Sequence, residues 1–364
     1  YSIGESKGHQ VQMRNIGFRM RGGPEQEFVM VPVNNSTLNG LAWNRLEGSG
    51  LVLYQKGSEY ASVEGFLADP PLSPPGEPKY PRVATYYCDM PQPEPEVDPA
   101  RVDEGTAIAS SLLGYQTLFT YVGEKPLHIS LVKRELNRLA GKDGLDVQVL
   151  KGDELVWATN VPDDKDEGES WAVSAPQEVD FSLPGLESGV YMIRLLCGDD
   201  VVIENLRSDQ EYLCVADQVT LADHELFGLG ASRPSTLFTD AEDLEVWTKY
   251  PEAFQAVDAG GAASVSVDEE GIKSLLPLSP GIKEVHTEMG GITLRSKGSF
   301  FSFSRESLFD PQPVKTEEYS EATLSTDISF ILTSYASPRK EGDWSVQEFV
   351  LDLTGMEFAG GKLK

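Results

Sequence analysis

The chain of 364 residues sets 58 acidic against 30 basic side chains, a formal charge of −28. A protein that grips nucleic acid by its phosphates needs Lys and Arg in excess on one face, so no nucleic-acid partner is expected. No run approaches the roughly eighteen apolar residues of a membrane span. With 40% hydrophobic and 24% charged residues the composition is globular, and the length predicts two or three domains with their own cores.

Short β-type runs punctuated by Gly, Pro, Asn and Asp dominate, and amphipathic helices are nearly absent. The expected fold is all-β: serial antiparallel β-sandwich domains, Ig-like or jelly-roll-like. Residues 1–89 read as a small N-terminal β domain. Tyr1 stands where a start would carry Met, and neither end holds a charged-then-apolar leader, so such an element is expected outside these residues. In 8–21, GHQVQMRNIGFRMR, the apolar Val11, Met13, Ile16, Phe18 and Met20 alternate with polar or cationic neighbours, as in a strand with one apolar face. Lys7, Arg14, Arg19 and Arg21 make it locally positive. Two readings stand: an assembly strand that adds to the sheet edge of a second copy, or the first strand of the chain's own sheet. Asn34 and Asn35 open two overlapping glycosylation sequons. Strands are expected at 27–33, 50–54 and 82–88.

Residues 90–112 begin MPQPEPEVDPARVDEG, whose prolines preclude a helix or a central strand, and read as a linker. The stretch 113–218 reads as a complete central sandwich, with strands at 115–122, 127–132, 145–150, 154–159, 178–183, 190–196, 201–206 and 212–215. Within it, 133–140 is expected to form one short crossover helix with Leu136 and Leu139 on one side. Residues 219–364 read as a C-terminal sandwich, with strands at 235–239, 244–250, 262–267, 291–296, 299–304, 328–335 and 346–353. The Ala359-Gly360-Gly361 tail reads as a turn whose return strand is only partly included.

Segments 137–164 (NRLAGKDGLDVQVLKGDELVWATNVPDD), 183–195 (LPGLESGVYMIRL) and 297–311 (KGSFFSFSRESLFDP), in that order, resemble a family of exported, multi-domain β-sandwich surface proteins. The resemblance covers residues 113–364 and implies an extracellular or cell-surface setting. It brings no catalytic residue, because none of these segments is a chemical motif.

No catalytic or cofactor-binding residue emerges from the sequence itself. There is no GxSxG elbow, and His9, His128, His224 and His286 stand singly, without HExxH or HxH spacing. His128 alternates with Leu127 and Ile129 and is expected to point out of its strand. Gly228-Leu229-Gly230 lacks the third glycine and the βαβ setting of a dinucleotide loop. The acidic run 163–169 is read as a solvated loop, with Asp164, Asp166 and Glu169 as candidate Ca²⁺ ligands. Cys197 and Cys214 lie in neighbouring strand-like segments and are candidates for a disulfide. Trp43, Trp157, Trp171, Trp247 and Trp344 are expected in cores, an exposed row of them being the mark of a glycan-binding face.

The sequence therefore leads to a non-enzymatic extracellular structural protein, a subunit of a surface layer, filament or sheath, whose main partner is itself. The rivals are a carbohydrate-binding or adhesion module for surface glycans, and a polysaccharide-cleaving enzyme with two converging carboxylates.

Overall fold

A computed structural model describes residues 16–19, 25–28, 35–71, 82–86, 88, 90, 94–152, 154–164, 170–261, 263–313, 328–335 and 339–346. Their regular secondary structure is almost all strand, with two short helices and a single 3₁₀ turn. No helix among them is long and apolar enough to cross a membrane. The chain divides into two compact units, Tyr1–Pro71 with Pro81–Pro91 and Thr316–Lys364, and Leu72–Tyr80 with Gln92–Lys315.

In the first unit, β1 (Ile16–Arg19) pairs antiparallel with β2 (Glu25–Phe28), Ile16 facing Phe28. The helical turn α1 (Ser36–Gly40) is capped by Asn35, whose side chain accepts from the Leu38 N–H. A hairpin of β3 (Asn44–Gly48) and β4 (Leu51–Gln55) turns on Ser49 and Gly50, at φ 51 and 74. Two successive positive φ values are the type I′ geometry that matches strand twist, and they favour Gly. Then come α2 (Val63–Ala68) and β5 (Arg82–Tyr86). The fourth strand of this sheet arrives from far along the chain: Ile328–Thr333, β23 in chain order, lies between β4 and β5. It runs antiparallel to β4 and parallel to β5. Its sequence ISFILT is a nearly unbroken apolar run, as a central strand covered on both faces requires. Leu38, Val52, Tyr54, Ala84, Ile331 and Tyr335 form the local core.

Among the described residues the second unit holds seventeen strands. The first sandwich uses β6 (Thr106–Ile108), β7 (Leu112–Leu113), β8 (Gln116–Val122), β9 (Leu127–Glu135), β10 (Leu145–Lys151), β11 (Glu154–Val161), β12 (Gln177–Leu183), β13 (Gly189–Leu196), β14 (Val201–Ser208) and β15 (Leu213–Leu221). One sheet runs β11-β10-β13-β8-β15. The facing sheet runs β12-β9-β14, with β6 and β7 on the far side of β14. All pairs are antiparallel, and apart from the β10–β11 hairpin the connections from β8 to β15 cross between sheets. Along β9 inward and outward residues alternate without a break from Leu127 to Glu135.

The remaining strands are β16 (Ser235–Thr239), β17 (Asp243–Thr248), β18 (Gln255–Ala259), β19 (Ala263–Val267), β20 (Ser274–Pro277), β21 (Lys283–Thr287) and β22 (Ile292–Ser302). They build on β15. The first half of β22 pairs with β15 on one side and β17 on the other, and β20 follows β17. The second half meets β15 again and β16, which leads through β21 to β18 and β19. Between the halves the register slips. Gly298 there has φ 75, and its N–H reaches Asp217 Oδ1 at 2.6 Å. Strands β15 and β22 thus serve both halves, and one continuous core runs from Ile108 to Phe301.

Four sequence expectations are corrected. The boundary at 218/219 falls inside β15, because a strand long enough to pair with β8 at one end and β22 at the other cannot end a domain. The C-terminal sandwich does not run to residue 364, since β23 belongs to the sheet of the first unit. The linker 90–112 is partly sandwich: Val102 is buried, Arg101 pairs with Glu211 at 3.2 Å, and β6 bonds β14. The expected helix at 133–140 is instead the end of β9 and a coil, because Lys133 and Glu135 occupy inward positions of the strand period.

If both halves share one core, damage at the shared strand must lower the stability of both together. Phe301→Ala, on β22 between Val215 and Thr239, is expected to cost about 3–5 kcal/mol. Far-UV circular dichroism and tryptophan fluorescence should still report coincident transitions for the residues of the second unit; separation of the two curves would mean independent halves.

Candidate functional site

In an antiparallel sandwich with crossing connections, alternate connections gather at one end. Here those are 136–144, 162–176 and 197–200, and each brings acids. At their centre are Lys133 and Glu135, both fully buried, carried by β9 and hydrogen-bonded to one another through Lys133 Nζ and Glu135 Oε1. Lys133 Nζ also donates to the Pro162 carbonyl at 3.0 Å. The Glu135 carboxylate accepts the Asp164 N–H at 3.2 and 3.1 Å, and its backbone exchanges bonds with Ser174.

Around this pair, Asp143 N–H donates to Asp163 Oδ1 at 3.0 Å, and Asn137 Nδ2 to Asp164 Oδ2 at 3.3 Å and the Ala172 carbonyl at 2.8 Å. Asp200 Oδ2 accepts the N–H groups of Arg138 and Leu139 at 2.6 and 2.9 Å, ordering the coil after β9. Burial raises the Glu135 carboxyl above the ordinary carboxylate range, against the pull of Lys133. Burial also raises Asp143, helped by the charges of Asp200 and Asp163. One oxygen from each of Glu135, Asp163 and Asp164 lies within 4.8 Å of the others. Of the three candidate ligands from the sequence only Asp164 is in this group; Asp166 and Glu169 lie outside the described residues. Glu135 escaped notice because a charged residue inside a strand reads as its end.

A second polar cluster joins residues more than a hundred positions apart. His224 Nε2 lies 2.7 Å from Ser111 Oγ and 3.7 Å from Glu204 Oε1, while Glu204 Oε2 holds Arg134 Nε at 2.6 Å. A nucleophilic relay places serine and acid on opposite imidazole nitrogens. Here both approach Nε2, and the buried Nδ1 has no partner. Burial lowers the His224 pKa. The arrangement fixes the β6–β7 connection rather than activating Ser111.

The other sequence candidates separate. Cys197 and Cys214 are free thiols, not a disulfide. Cys197 follows β13 and Cys214 lies on β15, strands that flank β8 on opposite sides and so run about 9–10 Å apart, already beyond the ~7 Å Cα limit of a bridge. Burial pushes the Cys197 thiol up to about 12 and raises Cys214 as well. Asn35 is a poor glycosylation acceptor because it is buried and its side chain caps α1, while Asn34 lies outside the described residues. In the assembly segment, Ile16 and Phe18 sit in β1, which pairs with β2 of the same chain. Val11, Met13 and Met20 lie outside the described residues. Trp157 stacks on Phe181 at 4.3 Å, whereas Trp171 is 65% exposed, its indole under the Arg138 guanidinium at 4.9 Å.

No protein family matches the sequence, and no curated protein is similar to it. Among solved structures, the crystal structure of dimeric latent PorU from Porphyromonas gingivalis matches over 66% of this chain and 22% of that chain, at 11% identity and a TM-score of 0.22. The chain thus spans about a fifth of that structure, and a likeness so slight carries no argument.

Two outcomes follow from the charges. Lys133→Met leaves Glu135 buried without its cation and should cost about 3–5 kcal/mol in urea denaturation, most of it recovered in Lys133→Met/Glu135→Leu. His128 bonds Asp209 at 3.2 Å and Asp180 at 3.3 Å. Burial lowers its pKa, but these bonds outweigh it and the net shift is upward. A raised histidine stabilises the fold below its ordinary pKa, and that contribution disappears as pH rises through the folded value. His128→Gln should therefore melt below wild type near about pH 5.5 and together with it near about pH 8.

Proposed function

We propose that this chain is a structural protein of a cell surface, non-enzymatic and extracellular, whose sandwiches assemble with further copies of the same chain. The observation that carries this is strand β11. Among the described residues it pairs only with β10, so its outer edge offers unpaired backbone donors and acceptors. Leu155 and Val156 on it are 54% and 40% exposed. Its sequence ELVWATNV has a single charged residue, on a chain of net charge −28. Natural edges are ordinarily guarded by Lys, Pro or a bulge that turns them away; this one holds no Lys or Pro between Glu154 and Val161, and its one register slip, at Val156, leaves Trp157–Val161 regularly paired with β10, which favours pairing on the other side of that stretch. Two copies of β11, antiparallel about a twofold axis, present the same edge to each other and satisfy both. The acidic surface keeps such a protein soluble until that edge is engaged.

A second reading has its own support. Trp171, exposed and backed by Arg138, offers a flat apolar face of the kind on which a sugar ring stacks. An adhesion role toward surface glycans would use that face.

Sedimentation velocity over a wide concentration range tests the first reading. Association is expected to increase with concentration and to vanish in Leu155→Lys/Val156→Lys, which sets like charges against each other across the pair, with an unchanged melting temperature. A monomer at every concentration, or an oligomer indifferent to the substitution, would rule it out. Glycan-array binding lost in Trp171→Ala would favour the second.

A further inference from the structure

We propose that the crossing end of the first sandwich binds one divalent cation of the calcium class, held by Glu135, Asn137, Asp143, Asp163 and Asp164. The ligand oxygens of Glu135, Asp163 and Asp164 lie within 4.8 Å of one another. That is the separation of oxygens on opposite sides of a single Ca²⁺, whose bonds are about 2.3–2.6 Å long.

An acidic cluster alone would not carry the inference; two buried acceptors do. Asp143 and Asn137 are 7% and 1% exposed, and Asp143 Oδ2 and Asn137 Oδ1 are buried without a hydrogen-bond partner. Both belong to the cluster. The Asp143 N–H bonds Asp163 Oδ1, and the other side-chain atom of the Asn137 amide, Nδ2, bonds Asp164 Oδ2. Two acceptor oxygens withdrawn from water require a donor or a cation. Lys133 does not meet the need, since its ammonium is directed to Glu135 and the Pro162 carbonyl. Five carboxylates, Glu135, Asp143, Asp163, Asp164 and Asp200, are thus assembled around one buried ammonium.

The donors are hard oxygens, carboxylate and amide, with no thiolate or imidazole in the group, which selects calcium over zinc or copper. The site differs from the run of acids read from the sequence. It draws its ligands from β9 and from two crossing connections, so that the ion would tie the coil after β9 to the loop after β11. The ion then serves stability, and its removal leaves the carboxylates to repel one another.

The experiment uses the full chain, stripped with EDTA and freed of chelator. Calorimetric titration with Ca²⁺ should give one site per chain, and saturating calcium should raise the melting temperature by several degrees. Asp143→Asn and Asp163→Asn should each abolish that rise, yet without calcium melt at or above wild type, because each removes a repelling charge. No heat and no shift in wild type would overturn the site, as would a calcium response intact in both variants. Should either variant fail to fold, Tb³⁺ bound to wild type and excited through tryptophan decides. The Trp171 backbone N–H donates to the Asn137 carbonyl, which ties that tryptophan to the coil that carries the site. Emission displaced by Ca²⁺ and lost in Trp171→Phe supports the assignment; emission indifferent to Trp171→Phe places the ion elsewhere and overturns it.

Discussion

Lys133 and Glu135 point inward two residues apart on one strand, at a depth where a lone charge would be prohibitive. Their mutual hydrogen bond does not by itself offset the loss of water, since a buried ion pair often does no better than apolar residues of the same volume. What the pair adds is direction. Lys133 draws in the Pro162 carbonyl, and Glu135 accepts the Asp164 N–H and binds Ser174 through its backbone. The long connection from β11 to β12 is thereby anchored at both ends against β9. The positions of Asp163, Asp164 and Asn137 follow from that anchoring.

The second constraint is the sharing of β15 and β22. A strand that pairs with β8 over Leu213–Val215 and with β22 from Val215 to Leu221 must twist through the join, and the slip between Ala216 and Gln218 absorbs the twist. Asp217, at φ 61, turns its carboxylate onto the Gly298 N–H across that slip. Nearby, Gln255 is buried at the turn before β22: its amide accepts from Glu288 and Met289 and donates to the Met289 and Gly290 carbonyls. Asp223 accepts from Gly290 and Leu226. The junction is thus held by side chains that satisfy backbone groups which neither sheet reaches, the condition for burying a turn.

Much of the first sandwich was legible in the sequence, because its strands carry the period-two pattern and its turns their glycines. All eight strands read there exist, each within a few residues at its ends except β9 and β15, which run longer. Outside it, legibility followed burial. Strands β18, β20 and β21 are not legible: QAVDA, SLLP and KEVHT are only four or five residues long, with too few large apolar residues at alternate positions to show the period of a strand. Segments 291–296 and 299–304 read as two strands because Lys297 and Gly298 look like a turn, whereas the slip there leaves one strand, β22. The strand Ile328–Thr333 was recognised, but nothing local to it discloses a partner nearly 250 residues earlier.

The acids at the crossing end were not legible as a group, and the reason is topological. Glu135, Asp143, Asp163 and Asp200 are spaced by 8, 20 and 37 residues, which matches no motif. Their proximity depends on the parity of the connections. With antiparallel strands, the links after β9, β11 and β13 must lie at the same end, whatever their lengths. A reading that counts strands, and asks which alternate loops carry like charge, finds the cluster where a search for spacing cannot. The same parity explains why its electrostatics are severe. Each loop is unremarkable alone, and the repulsion arises only when the two sheets close on each other, so folding itself concentrates the charge that the end of the sandwich must then neutralise.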